Sequence, residues 1–160
     1  EDGIRDYKVT GVQTCALPIF LDLDEALVTL ADRYDIVHSP VLSDRKVFPE
    51  GVDVCLVEGA VASVDNLAMA RRLRLRSRLV VALGDCAVTG NVTALRNQHP
   101  DGLAGVLQRC WGQAVPPADG PLPPLLERVL PLHAVIRVDL VLPGCPPEPG
   151  CIGRLLASLG

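Results

Sequence analysis

Two cysteines, Cys86 and Cys145, stand in short glycine-containing stretches that suit a metal centre: GDCA (84–87) and PGCPP (143–147). Glycine lets backbone N–H groups approach a cluster sulfur closely, and proline stiffens the turn. Thiolates presented from separate rigid loops suit an iron–sulfur cluster, which usually takes four cysteines. The residues alone leave two hypotheses equally open, a metal site or two buried structural cysteines.

Both cysteine loops follow predicted β-strands, at 78–83 and 135–142, and a third loop, EGA (58–60), follows another strand. That strand, VDVCLV (52–57), is nearly all apolar, which is typical of a strand buried on both faces of a parallel sheet. In an open parallel sheet, ligands bind beyond the carboxyl ends of the strands. We therefore expect the three loops to meet at one edge.

The remaining patterns predict helices between these strands. Apolar residues at three- and four-residue steps predict a helix over 20–33, and Ser63 is predicted to cap a helix that ends near 75. The arginine run at 71–78 is typical of a solvated helix face. Further predicted elements are a strand at 35–38, short helices at 89–97 and 103–111, a helical turn at 125–130 and a closing helix at 149–159. This alternation predicts an α/β fold with a parallel sheet.

Composition excludes several classes of protein. The 160 residues fit one domain of ordinary size, and 15 basic against 19 acidic residues argue against a nucleic-acid-binding domain. The longest apolar runs are too short to span a bilayer, and the sequence has no Gly-x-Gly-x-x-Gly or P-loop motif for a dinucleotide. With no secretory signal in the sequence, we expect a cytoplasmic protein whose cysteines stay reduced.

The first nineteen residues differ in character from the rest of the chain. They resemble the translation of a sequencing-library adaptor, whose final stretch matches VTGVQTCALPI (9–19) and whose companion oligonucleotide matches EDGIRD (1–6). We therefore expect residues 1–19 to be a non-native segment from which Cys15 inherits no function. We also expect this segment to be dispensable for stability, although the strand propensity at 7–14 would allow it to occupy the vacant edge of the sheet.

From residue 20 onward, the chain resembles the small subunit of soluble, bidirectional, NAD(P)-reducing nickel–iron hydrogenases, one of the complex-I-like 20-kDa iron–sulfur subunits. The stretches that carry the resemblance are FLDLDE (20–25), DIVHSP (35–40), FPEGVDVCLVEGAV (48–61), VALGDCAVTGNV (81–92), LRN (95–97) and VDLVLPGCPP (138–147). The resemblance implies a flavodoxin-like open parallel sheet with helices on both faces. It places that domain at 20–160, with the family's first strand missing or replaced.

The resemblance also implies roles for the loop residues. Cys86 and Cys145 would be two of the four ligands of a 4Fe–4S cluster. The other two ligands belong to a Cys-x-x-Cys loop after the first strand, which residues 1–19 replace, with the second ligand falling close to Ala16. The positions implied to lie beside the cluster are Glu58, Gly59, Gly84, Thr89 and Gly144.

The function implied by the resemblance is electron transfer. The chain would relay electrons between the H2-activating centre of a nickel–iron large subunit and a flavin/NAD(P) diaphorase module, with no catalytic residue of its own. FMN is a further cofactor that the resemblance raises and no motif identifies. Two alternatives are an iron–sulfur subunit of a complex-I-like quinone oxidoreductase and a cluster-free scaffold subunit.

Several of these residues also have an ordinary structural explanation. Glu58 is equally well explained as a loop carboxylate bonded to nearby N–H groups, and Thr89 is favoured as a helix cap. Asp85 is expected to be a turn or cap residue. Cys55 is expected in the core of its apolar strand, and Cys151 departs from the family's apolar residue, which disfavours ligation.

Overall fold

The structure, a computed structural model, describes residues 7–12 by their backbone, together with 28, 32–39, 47–114 and 123–159. The strands are β1 (Tyr7–Val12), β2 (Tyr34–His38), β3 (Val52–Glu58), β4 (Val61–Ser63), β5 (Ser77–Leu83), β6 (Leu125–Leu130) and β7 (Leu140–Leu142). The helices are α1 (Val64–Arg76), α2 (Gly84–Thr89), α3 (Gly102–Trp111) and α4 (Pro149–Leu159), with 3-10 helices at Asn91–Gln98 and Leu132–Ala134. Among the helices described, none has the length and apolar character needed to cross a bilayer.

Five parallel strands form the central sheet in the order β2-β1-β3-β5-β7. Counted along the chain as parallel strands alone, this order is 2-1-3-4-5, the flavodoxin-like arrangement. Strands β4 and β6 pair antiparallel in a separate two-stranded sheet. The predicted α/β class with an open parallel sheet is confirmed.

Apolar side chains of β3 alternate between the two faces of the sheet. Cys55 is fully buried and belongs to the same core as Leu73 of α1. Val54 faces the other core, which includes Ile152 of α4. Because successive strand residues point to opposite faces, helices cover both sides of the sheet, as the sequence predicts.

Helix α1 begins where the sequence predicts. The Asn66 N–H donates to Ser63 Oγ (3.2 Å), and the Ser63 N–H donates to Asn66 Oδ1 (3.1 Å). This reciprocal capping box bonds two N–H groups that the helix itself leaves unpaired. The cap therefore sets the direction in which the chain leaves β4.

The arginine run at the end of α1 is not simply a solvated face. Three of its members form ion pairs within the chain: Arg74 with Asp139, Arg76 with Glu50 at 3.3 Å, and Arg78 with Asp53 at 3.5 Å. Arg71 and Arg72 are exposed. The run thus splits into an exposed part and a part that ties α1 and β5 to neighbouring segments.

Asp139 fastens the start of β7 to β5. Its N–H donates to the carbonyl of Val80, and its Oδ2 accepts the Val80 N–H, both at 2.9 Å. The Arg74 guanidinium also donates to this carboxylate. Burial raises the pKa of Asp139, but the bonds from Arg74 and Val80 and the nearby positive charges outweigh it, so the pKa lies below its ordinary value.

The segment predicted as a helical turn at 125–130 is instead strand β6, which pairs with β4. The Asn97 side chain donates to the Val129 carbonyl (2.9 Å) and accepts the Val129 N–H (2.8 Å). The Arg96 guanidinium donates to the Leu126 carbonyl at 2.5 Å. These distant partners satisfy an extended backbone, so tertiary contacts override the local pattern.

Two further predicted boundaries differ. The strand predicted over 135–142 is confined to β7, because the N–H groups of Val135 and Ile136 bond back to the Leu132 carbonyl in a tight turn. The helix predicted over 89–97 starts after Gly90, whose φ of +87° ends α2 and separates it from the 3-10 helix.

Strand β1 lies in the interior of the sheet, so the expectation of an edge position is wrong. Its backbone pairs with β2, with Val9 opposite Ile36, and with β3, with Val12 opposite Val57. Residues 7–12 thus form a strand between β2 and β3 in the sheet. The other predictions for 1–19, including Cys15, and most of the helix predicted over 20–33 lie outside the described residues.

We expect loss of β1 to destabilise the protein, contrary to the dispensability that the sequence suggests. Deleting residues 1–12 should lower the thermal midpoint by at least ~5 °C, because β2 and β3 each lose a row of backbone hydrogen bonds. Circular dichroism melting measures this against a chain that lacks only residues 1–6 and keeps β1. Equal midpoints for the two truncations would contradict an interior β1.

Candidate metal centre

The carboxyl ends of β3, β5 and β7 lie level with one another. Glu58 is in register with Leu83, and Leu83 is in register with Leu142. Strand β1 ends one row earlier, since Val12 is opposite Val57. The three loops predicted to meet therefore leave the sheet at one edge, and the carboxyl end of β1 lies near that edge.

The loops after β5 and β7 approach each other at two glycines. At Gly84 (φ +80°) a Cβ would lie 3.4 Å from the Gly144 carbonyl oxygen. At Gly144 (φ +134°) a Cβ would lie 2.6 Å from Pro147 Cα and 2.8 Å from the Pro146 carbonyl oxygen. Positive φ favours glycine at both positions, and at Gly144 the backbone of Pro146 and Pro147 leaves no room for a Cβ.

A reciprocal pair of hydrogen bonds fastens these loops together. The Asp85 N–H donates to the Gly144 carbonyl (2.9 Å), and the Gly144 N–H donates to Asp85 Oδ1 (2.7 Å). The sequence suggests only a turn or cap role for Asp85, but helix α2 has no side-chain cap. The sequence carries one signal for this bond between the loops, an acidic residue between a glycine and a cysteine. It does not show which N–H the carboxylate accepts.

Each of the two predicted ligands directly follows one member of this pair. Cys86 is half-buried in the first turn of α2, and its carbonyl accepts the Gly90 N–H at 3.0 Å. Cys145 is exposed and precedes a cis bond to Pro146. Both residues are thiols rather than disulfides. The structure thus brings the two predicted ligands to one edge of the sheet.

These thiols fit half of the ligand set of a 4Fe–4S cluster, which usually takes four cysteines. In the part of the chain that the structure describes, no group of three or more histidine, cysteine, aspartate or glutamate side chains could hold a metal ion. Cys15 and Ala16 lie outside that part. The described residues therefore supply an incomplete ligand set.

The other predicted site residues lie around the same edge. The Thr89 hydroxyl donates to the Asp85 carbonyl (2.9 Å) and accepts the Asn91 N–H (3.3 Å), so it bonds to the backbone between α2 and the 3-10 helix. Glu58 is half-buried at the end of β3, and Gly59 turns the chain with a φ of +83°.

Cys151 lies in the first turn of α4 and has partners of its own. Its thiol donates to Glu148 Oε2 (2.8 Å) and accepts from Arg154 Nη2 (2.9 Å). The hydrogen bond to Glu148 raises the pKa of the Cys151 thiol and lowers the pKa of the Glu148 carboxyl. A raised pKa disfavours the thiolate, which is the form that binds metal.

Comparisons with known proteins agree on one family. The family model described as "NADH ubiquinone oxidoreductase, 20 Kd subunit" matches residues 13–159. A vhu subunit of the F420-non-reducing hydrogenase of Methanocaldococcus jannaschii is 31% identical over 157 residues, covering 95% of this chain and 54% of that protein. The NAD-reducing hydrogenase HoxS subunit delta of Cupriavidus necator is 33% identical over 163 residues, covering 98% of this chain and 77% of that protein.

A solved structure has the same fold. It is a chain of an NAD+-reducing NiFe hydrogenase in the H2-reduced state, with a TM-score of 0.82 and 34% identity over 95% of this chain and 92% of that one. The chain described here spans about half the length of the Methanocaldococcus relative. The similarity therefore covers nearly all of this chain but only part of that longer protein.

We expect Gly144→Ala to destabilise the protein more than Gly112→Ala. Both glycines have positive φ: alanine costs about 1–2 kcal/mol in backbone strain at Gly112, which is left-handed, and at least as much at Gly144, whose φ of +134° lies outside that region. At Gly112 a Cβ meets nothing within 4 Å, whereas at Gly144 it collides with the backbone of Pro147. Denaturant unfolding should show a further loss of about 1–3 kcal/mol for Gly144→Ala. Equal losses would argue against the tight turn of Gly144 on Pro146 and Pro147 within the loop after β7.

Proposed function

We propose that this chain, which belongs to the family of the 20 Kd subunit of NADH ubiquinone oxidoreductase, is the electron-transfer subunit of a nickel–iron hydrogenase. The observation that carries the proposal is the fastening of the loops after β5 and β7, each of which bears a cysteine at the same edge. The similarity to a subunit of an NAD-reducing hydrogenase over nearly the whole chain supports it.

In this proposal Cys86 and Cys145 hold two corners of a 4Fe–4S cluster through their thiolates. When bound, such a cluster supplies one-electron transfer between neighbouring redox centres. Gly84 and Gly144 place no side chain beside the thiols, and Pro146 removes a backbone donor next to Cys145. In this proposal the loop residues only bind and orient the cluster. Neither loop contains a histidine or lysine for acid–base chemistry.

The two remaining ligands are proposed to come from a Cys-x-x-Cys loop after the first strand of the natural protein. This position is suitable because β1 ends at the same edge, with Val12 opposite Val57. The present chain has no Cys-x-x-Cys motif there: Cys15 is followed by Ala16, Leu17 and Pro18. Although the family match begins at residue 13, we propose that residues 1–19 are a non-native segment and that 20–160 are the hydrogenase small-subunit domain.

The proposed partners follow from the relatives. A nickel–iron large subunit would exchange electrons with the cluster on one side, and flavin/NAD(P) subunits would do so on the other. The NAD(P) part rests on the Cupriavidus relative and the solved structure, both of which are named for NAD reduction. The family's description favours one alternative, an iron–sulfur subunit of a quinone oxidoreductase, which the electron acceptor of the assembled complex would distinguish.

We expect a repaired chain to bind a complete cluster. Replacing residues 1–19 with a family-type strand ending in Cys-x-x-Cys should give about four iron atoms and four sulfides per chain after anaerobic reconstitution. The unrepaired chain should bind far less, because open coordination positions leave iron exposed to water. Iron and acid-labile sulfide analysis measures loading, and electron spin resonance of the reduced sample identifies the cluster.

Within the repaired chain, Cys86→Ser and Cys145→Ser should each abolish or strongly reduce loading. Cys110→Ser is the matched control, because Cys110 is an exposed thiol on α3, away from the three loops. Iron content near that of the parent in both site variants would refute the ligand assignment. Full loading of the unrepaired chain would show that another residue completes the site.

A further inference from the structure

We infer that Asp85 is a positioning residue, which presets Cys86 and Cys145 for a shared metal centre by accepting the Gly144 N–H with its carboxylate. The inference rests on the proposed function, because it assumes that these two thiols act together. It adds a residue that binds no metal itself and acts through the loop after β7.

The first support is the position of the bonds. The two hydrogen bonds between Asp85 and Gly144, at 2.7 and 2.9 Å, form a closed ring. Each of these residues directly precedes one of the two cysteines. The bonds therefore join the two residues whose backbones lead directly into Cys86 and Cys145.

The second support is how little else holds the loop after β7. In PGCPP (143–147) only Gly144 and Cys145 have a backbone N–H, because the other three residues are prolines. Strand β7 pairs with β5 over three residues, and within the described sheet it is the outermost strand. Asp85 therefore binds one of only two N–H groups in the loop.

The third support is that Asp85 is itself held firmly. Its carbonyl accepts the Thr89 hydroxyl at 2.9 Å, and its N–H is bound to the Gly144 carbonyl. A hydrogen bond to a carboxylate is stronger than one between neutral groups. The side chain thus acts as an anchor from α2 rather than as a cap of its own helix, whose N-cap has no side-chain bond.

The expected consequence is a preorganised pair of thiols. If the loops are already joined, a thiophilic cation that binds both sulfurs does not have to order the loop after β7. Cd2+ alone is a suitable probe for the full 160-residue chain, because it binds thiolates and its thiolate complexes absorb in the ultraviolet. This readout needs no cluster, partner subunit or hydrogenase activity.

We expect Asp85→Ala to weaken Cd2+ binding by about tenfold or more. Asp85→Asn, which keeps an acceptor oxygen, should stay within about threefold of the parent. Asp101→Ala is the matched control, because Asp101 is exposed and its side chain makes no cap bond to α3. Amide exchange at Gly144 should be faster in Asp85→Ala and close to the parent rate in Asp85→Asn.

A double-mutant cycle separates positioning from a general loss of structure. In a Cys145→Ser background, Asp85→Ala should have no further effect on Cd2+ affinity, because the second thiol is already absent. If Asp85→Ala fails to fold, Asp85→Ser, with a shorter acceptor, replaces it in the cycle.

Parent-like Cd2+ affinity in Asp85→Ala would overturn the positioning role, as would equal weakening in Asp85→Asn. Failure of the metal-centre assignment has a different signature. In that case Cys86→Ser and Cys145→Ser themselves leave Cd2+ binding unchanged, which overturns the proposed ligands and the positioning role together.

Discussion

Strand β7 depends on two aspartates, one at each end, for its place against β5. Before the strand, Asp139 exchanges two hydrogen bonds of 2.9 Å with Val80. After it, Gly144 exchanges two with Asp85. The strand is only three residues long, so its ladder alone gives little resistance to sliding or fraying. The location of Cys145 is therefore set largely by two carboxylates: that of Asp139, which binds β5, and that of Asp85 on α2, which binds the loop after β7.

The sheet places Cys86 and Cys145 coarsely, and the contacts between their loops place them more closely. The parallel register brings the ends of β3, β5 and β7 level, which is enough to gather their loops at one edge. The close approach of the two loops that carry the thiols comes from the contact of Gly84 with Gly144 and from the hydrogen bond to Asp85. The carboxyl end of interior strand β1 lies near that edge, which is where the proposed site needs its remaining ligands.

Strong local patterns in the sequence are sufficient to predict several elements of the fold. The apolar run of β3, the cap at Ser63 and the closing helix α4 follow from residue type and spacing, and the structure confirms them. Strand β6 was mispredicted because its partners, including Asn97, are distant in sequence. The interior place of β1 depends on pairing with two other strands, and the reach of Asp85 depends on a loop 59 positions away. No local pattern encodes such contacts.

The proposed metal centre requires Cys86 and Cys145 to lie close enough for one cluster to bind both thiols. The most direct measurement is cross-linking of the native chain with dibromobimane, a short reagent that reacts with two neighbouring thiols, followed by peptide mapping by mass spectrometry. We expect a dominant cross-link between Cys86 and Cys145, with Cys110 modified singly. Separate modification of Cys86 and Cys145, or a dominant cross-link between Cys145 and Cys151, would contradict it.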